Sequence, residues 1–295
     1  MAGEQTFPGP VYSQLPSGVK PPEPGLLLRA SEWVPIRDLL AARLGFVARF
    51  DSSTQRLAAE GGPALRAAQC HLFFGEQLHL PIDPKTLKTQ LANTVVEGGR
   101  ARWVGKYFLD GSDWKSILLP LAKSASHREI VEICGTRHDF RDGARYHKYA
   151  DSIAGGKPIR RNRIVIDTVE KLDSYFAYYL ALIENIEENG ILSHTSLELR
   201  QQTGWQHRLT RTLWQDLAER DIGVAIDAGG RLVRHTSGKH RTAAALALGL
   251  DRIPVEIRMV HTRWLVRQSE KLGLPPLKAF LATLEEARST GWPTK

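Results

Sequence analysis

Long apolar runs are scarce in this 295-residue chain. The longest nearly apolar stretch, Tyr175 to Ile183, is much too short for a bilayer, which takes about 20 residues. The N-terminus does not resemble a secretory leader: Glu4 comes early, prolines follow, and no apolar core segment appears. Cysteine is nearly absent. Cys70 and Cys134 form no C-x-x-C pair and are too few for a disulfide framework, so two buried, reduced thiols are expected. His138 and His147 stand alone, and no His or Cys pair has metal-ligand spacing, so no metal site is expected. No internal repeat of fixed period occurs. These absences point to a cytoplasmic protein without a membrane partner.

What is present is globular in composition. Apolar residues make up 42% of the chain and charged ones 24%, close to the average for folded domains. A formal charge of +8 and a pI near 9.6 favour anionic partners such as nucleotides or nucleic acid. Residues 1–25 hold Pro8, Pro10, Pro16, Pro21, Pro22 and Pro24, which predicts an extended or disordered arm. Residues 26–155 read as a mostly helical N-terminal region. Leu39, Leu40, Leu44 and Val47 recur at helical spacing, a second helix is predicted from Pro63 to Phe74, and others over 126–134 and 143–153. Arg102 to Leu109 alternates as a strand.

After the basic stretch Lys157 to Arg163, Asp167 and Glu170 have the spacing of a capping box. Leu172, Phe176, Tyr179, Ile183 and Ile186 then line one helix face, and Gly190 ends it. The neighbouring Tyr175 and Tyr178 read as core by the same spacing, and Glu184, Glu187 and Glu188 as a solvated face. A broken helical stretch over 196–220 carries Arg200, His207, Arg208 and Arg211 and is the segment most like a helix-turn-helix. The pattern then changes to strand, loop, helix, strand. Strands are predicted over 222–226, 232–235 and 253–260, with a turn at Gly229-Gly230 and helices over 238–248, 262–272 and 276–289.

The segment with chemical content is Ser237-Gly238-Lys239-His240-Arg241-Thr242, where a strand is delivered into the start of a helix. The first turn of a helix has unpaired N–H groups and partial positive charge, so it attracts anions. Gly238 leaves room for close approach, and Ser237 can cap the helix. Cations at Lys239, His240 and Arg241 oppose the helix dipole, a local cost that an arriving anion would remove. The loop is not a Walker A motif: Val233 stands where its first glycine belongs and His240 where it has Ser or Thr. His235, His261 and Trp264 read as packing or core hydrogen-bonding residues.

The order of these parts resembles the ParB/sulfiredoxin superfamily. There a strand precedes G-x-[HR]-R, an alanine-rich helix, Gly-Leu and an I-P-V strand; here those parts are Gly238 to Arg241, Ala243 to Ala247, Gly249-Leu250 and Ile253-Pro254-Val255. With the helix that ends at Gly190, the resemblance spans about residues 160–265. It implies an α/β (α+β) fold in which a helical N-terminal region precedes a small mixed-sheet core over 156–265, with C-terminal helices over 266–295. It also implies a nucleoside di- or triphosphate, with Mg2+, held at Gly238, Lys239, His240, Arg241 and Thr242. Members of the superfamily include CTP-dependent DNA-sliding clamps, free-serine kinases and sulfinic acid reductases. Lys239 replaces the cysteine that a sulfinic acid reductase needs, and Ser237 replaces an aspartate common before the glycine. The resulting expectation is a nucleotide-binding phosphotransferase or nucleotide hydrolase. The alternatives are a nucleotide-gated DNA-binding regulator of the partition type and a non-catalytic scaffold. No catalytic acid or base can be assigned from the residues.

Because its prolines and glycines offer little apolar surface to bury, the 1–25 arm should be dispensable for folding. A chain starting at Gly25 is expected to keep a cooperative melt with Tm within about two degrees of the full chain; a loss of several degrees would show that the arm packs on the domain.

Overall fold

The structure is a computed structural model that describes residues 36–92, 94–97, 100–161, 164–191 and 221–293. The 1–25 arm and the 196–220 stretch lie outside those residues. The fold is mixed α/β, as the sequence pattern implies. Among the described residues an eight-stranded sheet has the order β1-β6-β12-β10-β11-β3-β7, and β2 pairs with the first half of β12. Its strands are β1 (Pro63–Arg66), β2 (His79–Ile82), β3 (Thr89–Leu91), β6 (Tyr107–Asp110), β7 (Leu118–Pro120), β10 (Ile222–Ile226), β11 (Leu232–Arg234) and β12 (Ile253–His261). Two small hairpins, β4 (Thr94–Glu97) with β5 (Arg100–Trp103) and β8 (Ile159–Arg161) with β9 (Ile164–Ile166), stand outside it.

β10 and β12 form the centre of the sheet and run parallel, joined by helix α7 (Lys239–Ala247). Every residue of β10 is buried, and β12 is buried at all positions but Pro254. Such continuous burial is what a strand covered on both faces requires. The β10–β11 hairpin is fixed by Asp227, whose carboxylate accepts from the backbone N–H of Gly229 and Arg231 at 2.8 and 2.9 Å and from Arg231 Nε at 2.8 Å. The indole of Trp264 fills the space beside Gly230, where a Cβ would lie 2.9 Å from the ring.

Residues 26–155, expected to be mostly helical, also supply five of the eight strands, β1, β2, β3, β6 and β7. These strands are only three or four residues long, so their periodicity is too brief to read in the sequence. The predicted Pro63–Phe74 helix is β1 followed by α3 (Ala67–Phe74), because Pro63 pairs with Asp110 across the sheet. The helical spacing predicted over Trp33 to Phe50 falls, within the described residues, on two helices, α1 (Ile36–Arg43) and α2 (Phe46–Glu60), broken at Gly45 with φ 61°. The 102–109 strand is likewise interrupted, by a 3-10 turn at Val104–Lys106 between β5 and β6.

Helices α4 (Ala125–Gly135), α5 (Ala144–Ala154) and α6 (Val169–Asn189) agree with expectation to within two residues at each end. α6 starts differently, however. Thr168 rather than Asp167 is its cap, accepting from Lys171 N at 3.3 Å, while Asp167 pairs with Lys171 Nζ at 2.6 Å. Tyr175, Phe176 and Tyr179 are core, packed with Tyr146, Tyr149 and the alanines of α7. Cys70 and Cys134 are free and buried. Glu184, Glu187 and Glu188 are exposed, as their spacing predicts. No described helix is long and apolar enough to cross a membrane.

The C-terminal helices α8 (Thr262–Leu272) and α9 (Pro276–Thr290) are part of the main core. Phe280 meets Phe50, Phe74 and Phe108 at centroid distances of 6.2, 5.5 and 5.8 Å. Asp51 of α2 accepts from Leu277 N at 2.8 Å, satisfying a first-turn amide of α9. Phe280→Ala should therefore destabilise the whole fold by about 3–5 kcal/mol, read as one cooperative shift in urea unfolding. A separate early transition of α8 and α9 would show instead that they fold apart from the sheet.

Candidate anion site at the start of helix α7

The chain enters α7 through a tight passage. Gly238 has φ 75° and ψ 18°, and a Cβ there would lie 2.8 Å from Ile222 Cα. Both the left-handed backbone and the contact with β10 exclude a larger residue. Ser237, expected to cap α7, does something else. Its buried hydroxyl accepts from Gly223 N and donates to Asp221 O, each at 3.0 Å, and so ties the turn to the entrance of β10. Gly238 is the cap residue, no side chain caps α7, and its first turn holds no acid. The helix itself therefore supplies no acid to its positive end.

The five sequence-predicted residues have different surroundings. Lys239 and His240 are part-exposed at the first turn. Burial, Lys239 and Arg234 together push His240 down to about 3, so its imidazole is neutral, and its ring stands edge-on to Tyr179 at 4.8 Å. Arg241 is part-exposed as well. Burial pushes it down, and Asp221 opposes that shift, so it has an acid in reach and is tied to the fold. Thr242 is fully buried, and its hydroxyl donates to Gly238 O at 2.9 Å. The donor is thereby used inside the helix.

Beneath this turn, on the sheet face that carries Gly223, lies a compensated polar network. Gly223 has no side chain, and Arg258 crosses the vacant position: a Cβ there would lie 2.7 Å from Arg258 Cδ. Arg258 Nε donates to Glu256 Oε2 at 2.9 Å, and His71 Nδ1 meets Glu256 Oε1 at 2.7 Å. Burial alone would raise Glu256, yet Arg258 and His71 outweigh it and hold the carboxyl at about 2. His79 Nε2 meets Asp221 Oδ2 at 3.1 Å; burial works against its protonation, but that bond and the nearby acids raise it.

His79, Asp221 and Glu256 could between them offer three ligand atoms, all within 4.8 Å of one another. The sequence spacing gave no hint of this cluster, because its members come from β2, the start of β10 and β12. Its donors do not suit a cation. Arg258 already occupies Glu256, and both carboxylates are neutralised by side chains that a metal would have to displace. A Mg2+ ion, which demands several free oxygens, finds none prepared here.

Three further residues near α7 were not singled out by sequence. Arg234 of β11 is 4% exposed, His127 lies in the first turn of α4, and Gln90 of β3 pairs with Arg234 across the sheet. A buried arginine in the strand Leu232–Arg234 is a departure from pattern that could have marked the site. His235, expected in the core, is 2% exposed, with Nδ1 3.1 Å from Thr236 Oγ1. His261 is also structural: it donates from Nε2 to Ser112 O at 3.0 Å and accepts at Nδ1 from Arg263 N.

Burial, reinforced by Arg258 and Arg234 and opposed by Glu256, pushes His235 down to about 3. The unfolded chain therefore binds a proton below its ordinary value of about 6.5 that the folded chain refuses. This contribution to stability is complete above about pH 6.5 and is lost as pH falls toward 3. Each such proton adds a slope of about 1.4 kcal/mol per pH unit. His235→Gln should remove about one proton's worth of slope from unfolding free energies measured by urea at pH 7, 6 and 5; an unchanged slope would show that His235 is not the group refused.

No protein-family model, curated protein or solved structure matches the chain, and the site is read from its own residues.

Proposed function

We propose that this chain is a ParB-like nucleotide-binding protein that seats the phosphates of a nucleoside di- or triphosphate, carried with Mg2+, at the start of α7. The observation that supports this reading best is the uncapped, acid-free first turn of α7 with Lys239 beside it, reached through Gly238. Backbone N–H groups, the helix dipole and an ammonium together form a site for a multiply charged oxyanion. The sequence order that resembles the ParB/sulfiredoxin superfamily agrees with it, since β10, β11, α7 and β12 follow one another in that order. Gly238, Lys239 and His240 are the residues that face a ligand in this reading. Arg241, part-exposed in the same turn, is a further donor to the phosphates, and buried Thr242 holds the turn from behind.

The reaction class is phosphotransfer or nucleotide hydrolysis. Catalysis of this kind rests mainly on positioning and charge stabilisation, which such a turn supplies. Ser237, in place of an aspartate, is committed to Gly223 and Asp221 and takes no part as a base.

The test is a thermal-shift and calorimetric titration against nucleoside di- and triphosphates, with and without magnesium, using the bare nucleosides as controls. Phosphate-bearing ligands are expected to raise Tm, because they bind only the native state. Lys239→Ala should weaken binding about tenfold, the loss of one charge-assisted contact, with little change in unliganded Tm. Phosphate release without DNA supports the enzyme. Turnover only with duplex makes the protein a DNA-dependent switch, and no nucleotide response at millimolar concentration sinks the reading.

A further inference from the structure

Arg234 has no acid. It is 4% exposed, and its Nη2 donates to Gln90 Oε1, while Nε and Nη1 have no hydrogen-bond partner among the described residues. Burial alone lowers it, to about 10, with no carboxylate acting on it, so it stays charged at neutral pH. Most buried guanidinium groups are paired, because an unpaired one costs stability. The other buried arginine on this sheet, Arg258, obeys that rule through Glu256.

The neighbours of Arg234 make the charge imbalance larger. Its charge lowers both His240 in the first turn of α7 and His127 in the first turn of α4, which puts both helix starts within electrostatic reach of the guanidinium. α4 and α7 pack directly on each other. Neither has a side-chain cap or an acid in its first turn. His127 Nδ1 is also buried without a partner. Two positive helix ends, a buried cation and two imidazoles thus lie within reach of one another, and among the described residues no carboxylate acts on the cation.

We propose that Arg234, between the first turns of α4 and α7, forms a subsite for a phosphate-sized oxyanion. Gln90 holds the guanidinium in position, and His127 and Lys239 flank the anion. A phosphate or phosphoryl group fits this place better than a carboxylate, because it offers more acceptor oxygens and more charge to donors arriving from several sides. The subsite deepens the nucleotide reading, in which it takes the terminal phosphate, and rests on that reading only for the rest of the ligand.

The test uses the full chain with inorganic phosphate, pyrophosphate, a nucleoside triphosphate and the matching nucleoside, read by calorimetry and Tm. Wild type should bind inorganic phosphate. Arg234→Met should weaken that binding by about tenfold to a hundredfold. Its unliganded Tm should hold or rise, because an uncompensated buried charge has gone. A drop of several degrees with an unchanged phosphate response would overturn the proposal, as would wild type that ignores inorganic phosphate. If Arg234→Met does not fold, His127→Ala decides: weaker phosphate binding at unchanged Tm supports the subsite, and unchanged binding overturns it. A triphosphate that binds wild type and Arg234→Met equally removes the subsite and leaves the nucleotide reading intact. Phosphate bound without any nucleotide preference keeps the subsite and removes that reading.

Discussion

The contact between Gly238 and Ile222 is the constraint on which the rest of the site depends. It brings the start of α7 against the entrance of β10 at a distance that no side chain could share. Ser237 then has one place to go, and its hydroxyl serves as both acceptor and donor between Gly223 and Asp221. Those two bonds fix the strand entrance and the helix entrance as one rigid corner. In the parallel pairing of β10 with β12, α7 crosses between them and Val255 comes to lie beside Ile222. A strand–helix–strand crossover is the ordinary way to join parallel neighbours.

Charge is distributed very unequally around that corner. On the face of Gly223 the buried acids are partnered: Arg258 and His71 both reach Glu256, and His79 reaches Asp221. This network costs desolvation but is satisfied, so it specifies the arrangement of β2, β10 and β12. Around Arg234, by contrast, the guanidinium keeps Nε and Nη1 without a hydrogen-bond partner among the described residues, and no carboxylate acts on it there. A sequence under pressure only for stability would replace Arg234 with a leucine or methionine, and the cost of keeping it is the physical ground for a ligand there.

How much was legible in the sequence depended on the length of each element. β10, α8 and the hairpin at Gly229-Gly230 could be placed closely, because a short wholly apolar run, a helical pattern stopped at Gly273 and paired glycines give clear boundaries. Of the strands in residues 63–120 only β5 and β6 were anticipated, as one 102–109 strand, since three or four residues barely display a period and the pairing of β2 and β6 with β12 is set from across the chain. Residue roles at the motif divided in the same way. Gly238 could be read locally as the turn into α7, whereas the charge that Asp221 brings to Arg241 comes from twenty positions earlier. Ser237 had the right chemistry for a cap, but a buried backbone N–H at Gly223 made a stronger demand on its hydroxyl.

The same logic explains why the cationic side of the corner lay hidden. Gln90, His127, Arg234 and Lys239 come from β3, α4, β11 and α7, and none of them forms a motif with another in sequence. Each is unremarkable alone: a polar strand residue, a helix histidine, a strand arginine, a first-turn lysine. They acquire meaning only when the sheet order places β3 beside β11 and the packing of α4 on α7 sets two helix starts together. Neutral histidines at such a point have a further consequence. They line the site without adding full charges, so the unliganded fold bears the repulsion of Arg234 and Lys239 but not of two imidazolium groups. An arriving dianion would reverse the field and raise both imidazoles, tightening its own site by drawing protons toward it. A corner that is neutral in its histidines and unpaired in its arginine is therefore stable enough to fold empty while still favouring an anion.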